Sequence, residues 1–277
     1  MWPEAIDRIQ QGAPAPSFDH RRFAVRGRRH VVITGNSGSG KTRLWSTLTK
    51  SSAPEQMSLT HDDGYMITYK KRSLVLITVP GQYSSPRFVT LERLFDTRAH
   101  LQGIMFVACA GYDHIWPANA DIVANELRRR GSYNIDGLRR HNLDNEQESF
   151  KDICRRIAEK TELTRDRDLW PKWLVVAVNK ADLYWGQLPA VHDYYLPGSG
   201  SPFDRHREAL FDRIGHNTIR YLLLPLITAI GDYRFQPSSA AIPAPVHPSI
   251  TPAYQHASLE CLASNLEELY AEFNTRT

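Results

Sequence analysis

Apolar and polar residues alternate along this chain with two different periods. Short uninterrupted apolar runs, HVVITG (30–35), IMFVACA (104–110) and WLVVAV (173–178), predict strands buried on both faces. YMITYK (65–70) and SLVLITV (73–79) are two more, separated only by Lys71 and Arg72, so they are expected to pair as a hairpin. A last strand is expected over 226–230 (LITAI).

Helical spacing fills the intervals. It appears in 4–11, after residue 42 with Leu44, Trp45 and Leu48, in 87–100 with Leu91, Leu94 and Phe95, in 119–130, in 145–161 with Phe150, Ile153, Cys154 and Ile157, and in 204–222. The stretch 131–143 is read as a loop, and LPGSGSP (196–202) as an exposed one. More chain lies between Ala110 and Trp173 than one crossover helix needs, so one of the two helices there is expected to be an insertion. Five prolines between 237 and 252 exclude helix or central strand, and a final helix follows with Leu259, Leu262, Leu266, Leu269 and Phe273 on one stripe. Strands alternating with helices predict an α/β fold with a mostly parallel six-stranded sheet covered by helices on both faces.

Three segments are expected: an N-terminal extension (1–29), a main domain (30–233) with a helical insertion at about 111–172, and a proline-rich linker with a C-terminal helix (234–277). With 277 residues, 42% hydrophobic and 23% charged, the chain has the apolar content to bury one such core. A net charge of +4 does not argue for nucleic acid. The basic clusters at 21–29 and 128–140 lack the interleaved aromatics that stack on bases, so nucleic acid is not an expected partner. Three scattered cysteines form no CxxC pair, and no apolar run reaches the roughly 18 residues of a membrane span. A reduced, cytoplasmic protein is expected.

The chemistry sits at the strand ends. Residues 35–42, GNSGSGKT, fit GxxxxGK[ST] between a predicted strand and a predicted helix, the setting that this motif requires. Gly35, Asn36, Ser37, Gly38, Ser39 and Gly40 would curl so that their amides face phosphate at a helix N-terminus. Lys41 would reach the β and γ phosphates and the Thr42 hydroxyl would ligate Mg2+, with Arg43 next to them. The loop alone does not separate ATP from GTP. Residues 179–182, NKAD, follow the strand WLVVAV. The Asp182 carboxylate there accepts two hydrogen bonds from guanine, N1–H and the 2-amino group, whereas adenine presents an acceptor. Asn179 would tie this loop to the phosphate loop and the Lys180 stem would lie along the base.

With these motifs the chain resembles the Ras-like and Arf-like small GTPases. The resemblance implies a GTP-binding switch that hydrolyses GTP to GDP with Mg2+. It implies a first switch at 59–63 (LTHDD), where Thr60 closes over Mg2+ and the γ-phosphate, and a second at 78–82 (TVPGQ), where Gly81 contacts that phosphate and Gln82 orients the attacking water. Thr228 and Ala229 are similar to the pair that supports guanine from its backbone.

Thr78 replaces the family's usual aspartate and removes a carboxylate from the outer shell of Mg2+. The TVPGQ form is similar to the bacterial Ras-like GTPases of gliding motility and polarity, which implies a bacterial origin. Ser37 replaces a glycine, and no arginine stands between Arg43 and Arg72 to act as a finger, so hydrolysis is expected to be slow without a partner. Arg87 is the nearest internal substitute. A protein effector and an activating partner are implied. Two other readings stand beside this one: an ATP-dependent P-loop enzyme, and a nucleotide-binding assembly platform with little hydrolysis.

Overall fold

The structure is a computed structural model. It describes residues 2–12, 29–49, 67–71, 74–79, 85–115, 117–235 and 242–274. In chain order these form α1 (Trp2–Gln11), β1 (Arg29–Gly35), α2 (Lys41–Thr49), β2 (Ile67–Lys71), β3 (Leu74–Thr78), α3 (Ser85–Phe95), β4 (Leu101–Ala108), α4 (Pro117–Arg129), α5 (Ile135–Leu163), β5 (Trp173–Val178), α6 (Ala181–Tyr184), α7 (Leu188–Tyr195), α8 (Pro202–Ile214), β6 (Arg220–Pro225), β7 (Tyr233–Phe235), β8 (Ile242–Ala244) and α9 (Pro252–Asn274).

Among the described residues six strands make one sheet in the order β2-β3-β1-β4-β5-β6. All neighbours are parallel except β2, which pairs antiparallel to β3 as the short link between them dictates. The mostly parallel α/β sheet read from the apolar runs is therefore present. Alternate side chains feed two cores. On one face Val32, Phe106, Leu174 and Val176 meet Leu91 of α3, Phe150 and Ile153 of α5, and Phe203 of α8. The Phe150 and Phe203 rings stack at 3.9 Å, and Phe106 meets Phe150 edge-on at 5.1 Å. On the other face Ile33, Met105, Val107, Val175 and Leu224 meet Leu44 and Trp45 of α2 and the Leu262, Leu266 and Leu269 stripe of α9. Helix α1 packs against α9 and β6, so these two helices lie together at the β6 edge.

Five elements differ from the sequence reading. The expected loop 131–143 is mostly helix, because Asn134 caps α5: its side chain accepts from the Gly137 amide at 2.8 Å. Such a cap contributes about 1 kcal/mol, enough to offset a glycine in the first turn. Although β7 and β8 follow as a separate pair, the last strand of the six-stranded sheet is 220–225 rather than 226–230. Pro225 ends it, and the apolar residues beyond are buried in a loop, with Leu226 N donating to Val178 O at 2.9 Å and Ile227 N to Ser258 Oγ at 3.0 Å. Helix α8 stops at Ile214 rather than running to 222, because Gly215 takes φ 88° and its amide closes on Phe211 O at 2.8 Å. Helices α6 and α7 occupy a stretch in which no helix was expected. Two helices, α4 and α5, lie between β4 and β5, and both give side chains to the core on that face, Ala124 and Leu127 from α4 and Phe150, Ile153 and Ile157 from α5.

Candidate functional site

The C-terminal ends of β1, β4 and β5 converge, the location where open α/β sheets bind ligands. Residues 35–40 leave β1, turn sharply and enter α2, and Gly38 and Gly40 are among the glycines required there. Gly38 has φ 76°, and a Cβ on it would stand 2.3 Å from His114 O; Gly40 has φ 97°, and a Cβ on it would stand 2.3 Å from Asn179 Nδ2. Other segments thus approach the loop too closely for any side chain. Lys41 is buried, and its Nζ donates to Gly35 O at 3.0 Å and to Asn36 O, which closes the loop into a ring. Burial, followed by the Arg87 charge, lowers the Lys41 ammonium to about 7. Thr42 and Arg43 lie exposed in the first turn of α2, a helix N-terminus able to receive an anion.

Asn179 joins three segments. Its Nδ2 donates to Ser39 O at 2.8 Å and to Thr228 Oγ1 at 3.0 Å, and its Oδ1 accepts from Thr228 N at 3.1 Å. The structure therefore brings together residues 35–42, 179–182 and 228, which the sequence places far apart. Lys180 stands in left-handed backbone, φ 62°, and its Nζ donates to Gly38 O at 2.9 Å and to Tyr112 O. Asp182 is 1% exposed; its Oδ2 accepts from Gly231 N at 3.3 Å, while Oδ1 has no hydrogen-bond partner among the described residues. Burial raises this carboxyl to about 6. Ala229 follows Thr228 in the same loop, and Gln255 of α9 donates to Thr228 O at 2.8 Å.

Thr78 ends β3 beside Ile33, buried, with no partner for its Oγ1 among the described residues. Thr60, Gly81 and Gln82 lie outside the described residues, as do all of 59–63 and all of 78–82 but Thr78 and Val79.

A lining that no sequence motif marks lies behind this site. Residues 109–115 fold over the glycine-rich loop, with His114 N donating to Gly38 O at 3.2 Å. Ala110 there is the other non-glycine residue with positive φ (51°) among the described residues. Asn142 Nδ2 donates to Gly111 O at 2.7 Å, and Tyr233 OH to Asp113 O at 2.8 Å. Beneath them Glu146 Oε2 accepts from Cys109 N at 2.8 Å and Oε1 from Tyr195 OH. Burial, then the Asp113 charge, holds Glu146 well above the usual carboxylate range; burial raises Asp113 as well. The signal in the sequence was a carboxyl on an apolar stripe, since 146, 150, 153 and 157 share one face of α5.

No protein-family model matches the chain, and no curated protein matches its sequence. Solved structures to which it is similar include a probable GTP-binding protein EngB, at 14% identity over 88% of this chain and 99% of that one, with a TM-score of 0.43. Another is the signal recognition particle receptor SRβ–GDP from Chaetomium thermophilum, at 15% identity over 87% and 99%, with a TM-score of 0.46. A third is the NFeoB protein of S. thermophilus bound to GDP·AlF4− and K+, at 16% identity over 57% and 47%, with a TM-score of 0.32. The fold assignment rests on the strand order and the loop geometry described above. No helix among the described residues is long and apolar enough to cross a membrane.

Proposed function

We propose that this chain is a GTP-binding molecular switch that hydrolyses GTP to GDP with Mg2+, slowly unless a partner supplies a catalytic group. The observation that carries this reading is the Asn179 side chain, which ties the glycine-rich loop and the Thr228 loop to NKAD, next to a buried Asp182 oxygen with no partner among the described residues. That oxygen suits a donor from the ligand, and guanine offers two on one edge. In this reading the amides of residues 36–42 receive the phosphates. Lys41 holds the Gly35 and Asn36 carbonyls with two of its three donors and turns the third toward the β and γ oxygens. The Lys180 stem and the Thr228–Ala229 backbone flank the base.

Mg2+ prefers hard oxygen ligands, and the hydroxyls of Thr42 and Thr78 fit it, the latter because its buried Oγ1 has no partner among the described residues. Thr60 completes the set proposed from the sequence. When bound, the ion neutralises charge on the β and γ phosphates. Thr78 contributes no negative charge, so the metal would be held through a neutral oxygen at that strand end. Gln82 orients the attacking water, and Gly81 donates its amide to the γ-phosphate. A switch of this kind acts through an effector that reads its GTP form and an activator that speeds hydrolysis.

Thr78 also favours a second reading, a nucleotide-bound platform with little turnover. An ATP-dependent enzyme fits less well, because NKAD then has no role. Competition of GTP and ATP against a fluorescent guanine nucleotide tests the leading reading: displacement by GTP and GDP is expected, and displacement by ATP alone overturns it. Single-turnover hydrolysis by Gln82→Ala separates switch from platform, since a switch loses its rate and a platform has none to lose.

A further inference from the structure

Arg87, in the first turn of α3, is 0% exposed. Its Nη1 donates to Gly35 O at 3.4 Å and its Nη2 to Ser149 Oγ at 3.4 Å. Ser149, on α5, donates from Oγ to Asn36 Oδ1 at 2.6 Å. One guanidinium thus touches the first residue of the glycine-rich loop and, through a single hydroxyl, the second. The Gly35 carbonyl also receives Lys41 Nζ at 3.0 Å, so two cations converge on one oxygen. Like charges gathered at a buried point repel one another, and a polyanion seated on the far side of the loop reverses that balance.

We propose that Arg87 is a positioning residue of the phosphate site: it clamps Gly35 and Asn36 against α5 and holds a permanent positive charge behind the loop that favours the more highly charged nucleotide. This inference rests on the reading of residues 35–42 as a phosphate site. Arginine suits the task because it stays charged when buried, and its fork grips the Gly35 carbonyl and the Ser149 hydroxyl at once. The arrangement also fixes Arg87, in the first turn of α3 and five residues beyond Gln82, to the same carbonyl that Lys41 grips.

The test measures dissociation constants of the full chain for GDP and for a non-hydrolysable GTP analogue, with Mg2+. For Arg87→Gln we expect affinity to fall about tenfold for the GTP analogue and about threefold for GDP, because the lost attraction scales with ligand charge. Ser149→Asp keeps the guanidinium and sets a carboxylate beside it, cancelling its field; the same ordering is expected, which secures the test if Arg87→Gln fails to fold. Loosening of the scaffold alone weakens both nucleotides by one factor, so an unchanged GTP to GDP ratio in the folded variants overturns the proposal. Wild-type protein that binds neither nucleotide, or binding indifferent to Lys41→Ala, overturns the phosphate-site reading instead.

Discussion

The Asn179 amide donates to the Ser39 carbonyl at 2.8 Å across 140 residues of chain. The same side chain exchanges two hydrogen bonds with Thr228. Each buried bond of this kind contributes about 1 kcal/mol net, and a buried partner left unsatisfied costs about 1–3 kcal/mol. Asn179→Ala strands the Thr228 amide together with the Ser39 carbonyl. It is expected to speed release of a fluorescent GDP analogue at least about tenfold and to destabilise the fold by about 2–4 kcal/mol in urea titrations. Unchanged release kinetics would remove Asn179 from the site.

Asp182 gives the site an acid limit. Its carboxyl lies at about 6, raised chiefly by burial. In the proposed site guanine would donate to the ionised form, so affinity is expected to be full above pH 7 and to fall as pH drops through 6, approaching tenfold per unit once the group is protonated. Asp182→Asn is expected to abolish this dependence and to exchange guanine for xanthine, whose 2-carbonyl accepts from the new amide. Titrations of both nucleotides between pH 5 and 8 check the two claims together. A wild-type profile flat through pH 6 sinks the assignment.

Most of the sheet was legible because its strands are buried on both faces and therefore read as unbroken apolar runs. The last strand was misplaced for the same reason: YLLLPLITAI is apolar throughout, and only Pro225, which lacks an amide, marks where pairing with β5 ends. The start of α5 was hidden by two glycines, Gly131 and Gly137, although Asn134 carried the capping signal. In the candidate site, the GNSGSGKT and NKAD motifs stood out because each is a contiguous run of defined residue types at a strand end. The lining did not. Glu146 and Ser149 are one turn apart on α5, but Arg87 of α3 and Tyr195 of α7 reach them only through packing, and no spacing in the sequence joins the three helices.

Glu146 makes stability depend on pH in a direction opposite to the usual carboxylate. Burial raises its folded-state pKa, so the folded chain keeps a proton that the unfolded chain releases. Stability is therefore greatest near and below the ordinary glutamate range and falls as pH rises above it, by about 1.4 kcal/mol per unit until the folded group also ionises. Glu146→Gln is expected to flatten that slope between pH 5 and 7 while keeping an acceptor for Cys109 N. Urea denaturation at several pH values measures it, and equal slopes in both proteins would refute the claim.

Gly103 and Trp173 test the sheet itself. The indole lies directly over Gly103 across the β4–β5 pair, where a built Cβ would stand 2.0 Å from the ring, and the Trp173 ring is in turn held by Tyr270 of α9 at 6.2 Å, edge to face. Both β4 and β5 are buried along their full length, so neither strand can tilt to make room. Gly103→Ala is expected to cost about 2–3 kcal/mol, at the upper end for an added methyl in a packed core. Trp173→Leu removes part of the ring and is expected to tolerate Gly103→Ala better than the parent does, giving a favourable coupling energy in a double-mutant cycle. Additive losses in that cycle would show that the ring does not set the size limit at 103.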